Sequence, residues 1–92
     1  MTNKKAKDIY SEIQVTLVFE STQIAKTINS STSPENQETP KGVISASKVE
    51  SNKIILTIKS ENSILNLLKT LEDYFEKIDL SYKTIKRLSY NS

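Results

Sequence analysis

Three carboxylates crowd into five residues, Glu72, Asp73 and Glu76, and the two glutamates stand four apart. On a helix that spacing puts both side chains on one face, a turn apart. An acid–base pair or a metal site could use such an arrangement. A solvated face would show it equally, because Lys69 and Lys77 are close enough to pair with these acids. The second candidate, Ser33-Pro34-Glu35-Asn36, offers a hydroxyl and a carboxylate but no base to activate the hydroxyl and no oxyanion donor. The chain has no cysteine and no histidine. Disulfides, Cys/His zinc sites, thiol nucleophiles and histidine acid–base catalysis are therefore closed to it. Neither carboxylate group points to an enzyme or to a cofactor, and we expect no catalytic, cofactor-binding or metal residues.

Nucleic-acid chemistry has a better but still thin footing. One glycine, Gly42, cannot build a phosphate-cradling GxxxxGK[ST] or GxGxxG loop. A KH module would need a GXXG clamp and an RRM its aromatic signature, and both are missing. Of the four tyrosines, Tyr10, Tyr74, Tyr82 and Tyr90, two fall on an apolar helix face, where packing accounts for them better than base stacking. Thirteen Lys and Arg against eleven Asp and Glu leave a net charge of +2, too small to announce a polyanion binder. The lysines gather modestly at Lys4, Lys5 and Lys7 and at Lys83, Lys86 and Arg87. Both clusters read as solvated charges; the alternative is a small RNA-binding module that uses them on phosphates, with Lys83, Lys86 and Arg87 as tRNA contacts.

The elements that must carry any function are legible from periodicity. Residues 1–8 are polar and aperiodic and read as a disordered tail, residues 9–89 as one α+β domain, and 90–92 as a C-terminal tail. From Ile9 to Phe19, Ile9, Ser11, Ile13, Val15, Leu17 and Phe19 alternate with polar residues, a strand with one buried face. Ser21 or Thr22 suits a helix cap, and Ile24, Ala25 and Ile28 supply a turn or two. Asn29 to Lys41, with Pro34 and Pro40, reads as a loop. Val43–Val49 and Ile54–Ile58 are β-branched runs that form a hairpin across Glu50-Ser51-Asn52-Lys53, and Ser60, Asn62 or Ser63 caps a long helix. The expected fold is a two-layer β-α-β-β-α domain: a three-stranded antiparallel sheet covered on one face by a short and a long helix. Its expected core is Ile13, Val15, Leu17, Leu56, Leu68, Leu71 and Phe75.

The long helix carries more apolar surface than that fold consumes. Ile64, Leu68, Leu71, Phe75, Ile78, Tyr82 and Ile85 alternate by four and three, and Leu67, Tyr74 and Leu88 add a second row. The two rows span roughly 160°, against about 100° for a helix that faces one core. A sheet of three strands can cover one row. If it takes the Leu68, Leu71 and Phe75 side, then Leu67, Tyr74 and Ile78, with Ile24 and Ile28 of the short helix and the isolated Leu80, are left to meet a partner. At 92 residues a single core is barely self-sufficient, and a sheet with open edges invites pairing with a second copy or a close paralogue. No apolar run approaches 18 residues and the N-terminus lacks a signal-peptide stretch, so the expected location is the cytoplasm.

One family joins these features. The run Thr70-Leu71-Glu72-Asp73-Tyr74-Phe75, continued by Ile78-Asp79-Leu80-Ser81, resembles the C-terminal helix of the small subunit of the KEOPS (EKC) complex, the CTAG/Pcc family. Ser33-Pro34-Glu35-Asn36 stands where that family often has Pro-Asp-Asn, and Pro40, the hairpin and Ser60-Glu61-Asn62 follow in order. The resemblance spans about residues 13–88. Two departures are Glu35 for the usual aspartate and Leu65-Asn66 for a common Leu-Arg pair. The resemblance implies a non-catalytic archaeal-type subunit of the machinery that makes threonylcarbamoyladenosine (t6A) in tRNA. Such a subunit bundles its helices with those of the catalytic subunit, pairs its sheet with a second copy or a paralogue, and meets tRNA only within the complex.

Overall fold

A computed structural model describes residues 10–34, 39–61 and 63–91, with side chains through Leu88. The lysines at positions 4, 5 and 7, together with Ile9, Glu35, Asn36 and Asn62, lie outside the described residues. Strand β1 (Ser11–Val18) leads to helix α1 (Thr22–Thr32), the hairpin of β2 (Val43–Glu50) and β3 (Lys53–Ser60), and helix α2 (Ile64–Asn91). The sheet is antiparallel with order β1-β3-β2, and both helices pack on one face of it. This is the expected two-layer β-α-β-β-α architecture.

The register explains which strand is central. Ile54, Leu56 and Ile58 of β3 are fully buried; they stand opposite Leu17, Val15 and Ile13 of β1 and Val49, Ser47 and Ser45 of β2. Only β3 has a neighbour on each side, so it takes the most continuous apolar run in the sequence. The helix-facing side of β2 is Val43, Ser45, Ser47 and Val49, while Ile44 and Ala46 face the open side. The hairpin turns on Ser51 and Asn52, with Ser51 at φ 57°. Ahead of β2, Gly42 sits at φ 84° in the third position of a turn closed by Val43 N–H donating to the Pro40 carbonyl at 3.1 Å. A side chain there would be crowded in a turn that needs positive φ.

Side-chain caps start both helices. Ser21 Oγ accepts from the Ile24 N–H at 3.1 Å, and Ser63 Oγ accepts from the Asn66 N–H at 3.1 Å. Buried Ser60 locks the entry to α2, donating to the Ser63 carbonyl at 2.7 Å. Helix α1 is longer than the sequence suggests, because it absorbs Asn29-Ser30-Ser31-Thr32 from the expected loop. Their hydroxyls bond back to carbonyls one turn earlier: Ser30 to Lys26 at 3.0 Å, Ser31 to Ile28 at 3.1 Å and Thr32 to Ile28 at 2.7 Å. Residues of weak helix propensity thus satisfy their own polar groups, and the burial of Thr32 holds the last turn in place.

The largest departure concerns the face of α2 that meets the sheet. The buried row is Leu67, Tyr74 and Ile78, with Leu71, Tyr82 and Ile85 partly buried beside it. Leu68 and Phe75, expected in the core, are 49% and 39% exposed. At 3.6 residues per turn, this rotates the helix by roughly 70° from the expected orientation. The cause is α1, which lies beside α2 over the β2 half of the same sheet face. The α2 row that touches both the sheet and α1 gains burial from two surfaces. The Leu68/Phe75 row overhangs the β1 half, where no second helix lies among the described residues.

Candidate partner-binding surface

This rotation settles where the sequence-derived interface residues sit. Ile28, Leu67, Tyr74 and Ile78 are buried inside the chain itself, with only the edge of Ile78 reaching a groove, so they do not form an exposed face. That corrects the expectation that they meet a partner, and the reason is the one just given: α1 and the sheet together claim that row. Ile24 is partly buried against the same core. Leu80 stands 68% exposed on the opposite side of the helix. Among the described residues no group of three or more acidic side chains is placed to hold a metal, and Glu72, Asp73 and Glu76 are each exposed. No described helix is long and apolar enough to cross a membrane.

What remains uncovered lies along both flanks of the buried α2 row. On the β1 flank, Leu17, Phe19, Phe75, Ile78 and Tyr82 line an open groove of about 640 Å³, rimmed by Glu20 and Asp79. Its near wall, β1, is a sheet edge. Ile13, Val15 and Leu17 point toward the helix layer but stay partly exposed, since α2 lies chiefly over β3. Ile64, Leu68 and Phe75 extend this apolar strip along the helix. On the α1 flank, a second groove of about 550 Å³ runs between the two helices, lined by Thr27, Ser31, Thr32, Lys77, Leu80, Ser81, Thr84 and Ile85. Ser31 and Ser81 join the helices there, with 3.2 Å between hydroxyl oxygens. Leu88, also exposed, continues its apolar side.

A polar clasp holds the end of the β1 groove. The Tyr82 hydroxyl donates to Glu20 Oε2, Lys86 Nζ reaches the same oxygen at 3.2 Å, and the Tyr82 ring meets Phe19 with centroids 6.0 Å apart. The Tyr82 hydrogen bond, then a backbone amide and Lys86, hold the Glu20 carboxyl below its ordinary value. Asn52 fixes the strand exit: its amide donates to the Phe19 carbonyl at 2.7 Å, while Phe19 N–H donates to the Asn52 carbonyl at 2.8 Å. Of the proposed tRNA contacts, Lys83 is paired with Asp79 at 3.0 Å and Lys86 with Glu20, while Arg87 is exposed. The sequence pointed to surplus apolar area on α2 but missed the Leu68/Phe75 groove. The alternation of β1 beside it was visible, but the placement of α1 was not.

Two open grooves and two edge strands, β1 and β2, are thus left uncovered among the described residues; the family model described as transcription factor Pcc1 matches residues 12–86. The chain belongs to the Pcc1 family. That makes it a KEOPS small subunit of Pcc1 type, the family its long helix and central segment resemble. A solved Pcc1 complex shares the fold: the crystal structure of a Gon7–Pcc1 binary complex aligns at a TM-score of 0.57 and 18% identity. The alignment covers 89% of this chain and 96% of that one. No curated protein matches the Pcc1-family chain in sequence.

Proposed function

We propose that the chain is a non-catalytic scaffold of KEOPS, acting in the cytoplasm in t6A modification of tRNA. It joins a second copy, or a close paralogue, along β1 and holds the helices of the catalytic subunit in the α1/α2 groove. One observation carries this reading: α2 exposes Leu68 and Phe75 on one flank of its buried row and Leu80 on the other. Burying a Leu or Phe contributes roughly 1.5–3 kcal/mol, so both flanks favour cover. Because the flanks lie on opposite sides of one helix, both partners bind at once. The β1 edge suits self-pairing, since its helix-facing residues Ile13, Val15 and Leu17 carry no charge into the seam. Helices seat ridges into grooves, which suits the shallow space between α1 and α2. The partner surface is thus reassigned to Leu80 with Ile24 at its margin, and Lys83, Lys86 and Arg87 touch tRNA only in the assembled complex.

The test is co-purification with the KEOPS catalytic subunit. Wild-type protein captures it; Leu80→Glu loses it while keeping the fold and self-association. Leu68→Glu loses self-association and keeps the catalytic subunit. Failure of the wild-type protein to capture that subunit would refute the assignment. Tight, salt-sensitive binding of tRNA by the isolated chain would instead favour an autonomous RNA-binding module.

A further inference from the structure

Phe19 N–H donates to the Asn52 carbonyl, and this pair continues the β1/β3 register by one step. Along an antiparallel ladder, residues that exchange hydrogen bonds with a neighbour alternate with residues that do not. Phe19, Leu17, Val15, Ile13 and Ser11 therefore direct their backbone groups to β3. Glu12, Gln14, Thr16 and Val18 direct theirs to the open edge, and these are the residues a further strand must match. With both helix layers on one side, a single two-fold pairing of β1 with itself uses all four. The axis passes beside Val15, Glu12 meets the partner's Val18, and Gln14 meets the partner's Thr16. On the helix-facing side, Ile13 meets the partner's Leu17. Ser11, whose buried Oγ makes no hydrogen bond among the described residues, comes opposite the partner's Phe19. The Glu20 carboxylate stands at that end of the seam as an acceptor. No like charges face each other anywhere along the strand pair.

The helix layer agrees with this axis. Helix α2 runs alongside β1 in the same direction, from the Ser11 end, where it follows Ser60, to the Phe19 end, where Tyr82 sits. Leu17 and Phe75 line one groove. Val15 lies about 6.6 Å before Leu17, a distance that about four residues of helix cover, so the axis falls level with Leu71. Exposed Leu68 and Phe75 stand about equally far on either side of that point. We infer that the β1 flank is covered by a second copy of this chain rather than a paralogue, paired antiparallel about Val15, with Leu68 of each copy packed on the partner's Phe75. The inference rests on the reading that the chain self-associates along β1, and it adds the occupant and the register. The two-fold makes the interface isologous, and strand and helix rows both match their own copies about the same axis. Exposed Glu72 lies about 40° farther round the helix from the core than Leu68 and stays in water above the seam.

The chain has no cysteine, so one introduced thiol reports one distance. Val15→Cys places two thiols in a non-hydrogen-bonded pair with Cα atoms about 4.5 Å apart, inside disulfide range. Gln14→Cys and Thr16→Cys each place them diagonally, about 7–8 Å apart and beyond it. Under mild oxidation of the full-length chain, most of the Val15→Cys protein should run as a reducible dimer on a denaturing gel. The other two variants should run mainly as monomers. Gln14→Cys combined with Thr16→Cys, on the open face of the sheet, should regain the crosslink, and it reads the register even if Val15→Cys does not fold. Circular dichroism checks that each variant is folded, and light scattering gives the mass of the unmodified chain. If that chain is dimeric but the crosslink forms at Gln14→Cys or Thr16→Cys alone, or in none of the variants, the pairing about Val15 is overturned and self-association stands. If it is monomeric at high micromolar concentration, the reading beneath is overturned and the inference falls with it.

Discussion

Leu67 and Leu68 are neighbours of the same type, and glutamate at one should do far more harm than at the other. Leu67 is 4% exposed and Leu68 is 49% exposed. Full burial of a leucine contributes roughly 1.5–3 kcal/mol, so Leu67→Glu forfeits nearly all of that and Leu68→Glu about half. At position 67 the carboxylate is also buried in the core without a cation, a cost of several kcal/mol whether it stays charged or takes up a proton. The sum is about 5 kcal/mol at Leu67, against about 1 kcal/mol at Leu68, where the carboxylate reaches water. At roughly 0.05–0.15 kcal/mol per residue, a domain of this length holds about 5–14 kcal/mol. Urea titration followed by circular dichroism should therefore find Leu67→Glu unfolded or nearly so, and Leu68→Glu folded with a modestly lower midpoint. The same Leu68→Glu protein should be monomeric by light scattering where the wild type is not. Equal destabilisation by the two substitutions would show that α2 presents the Leu68/Phe75 row to the sheet, and the assignment of both grooves would fail together.

Three further outcomes follow from local geometry. Asn52→Ala removes the amide that holds the Phe19 carbonyl and should cost about 1–2 kcal/mol of stability in the same titration. Glu20 is held below its ordinary carboxylate value, so the stability it adds is complete above the unfolded value and is lost as pH falls through the lower folded one; Tyr82→Phe should flatten that acid limb of a pH–stability curve, and an unchanged limb would rule out the clasp. Ser51→Gly relieves a left-handed residue in a two-residue turn and should raise the melting midpoint, by about 0.5–1 kcal/mol in free energy.

Strand and helix existence could be read from the sequence because each rests on a period that one segment carries alone: the alternation through Ile13, Val15 and Leu17, and the four-three spacing down α2. The face of α2 could not, because a 160° apolar arc fits the sheet in two orientations and only a third element chooses between them. That element, α1, was itself legible as a turn or two. Its last turn, Asn29-Ser30-Ser31-Thr32, reads as loop by propensity, and it becomes helix only because Thr32 is buried and Ser31 meets Ser81. The error in the length of α1 and the error in the face of α2 therefore have one source. Extending α1 by a turn lays it along α2 as far as Lys77, which claims the Tyr74/Ile78 row and turns Leu68 and Phe75 toward β1. The surplus itself does not depend on orientation. Whichever row the sheet takes, a helix this apolar leaves another in water. The surplus apolar area is thus the same for either choice of row, while the residues left uncovered differ.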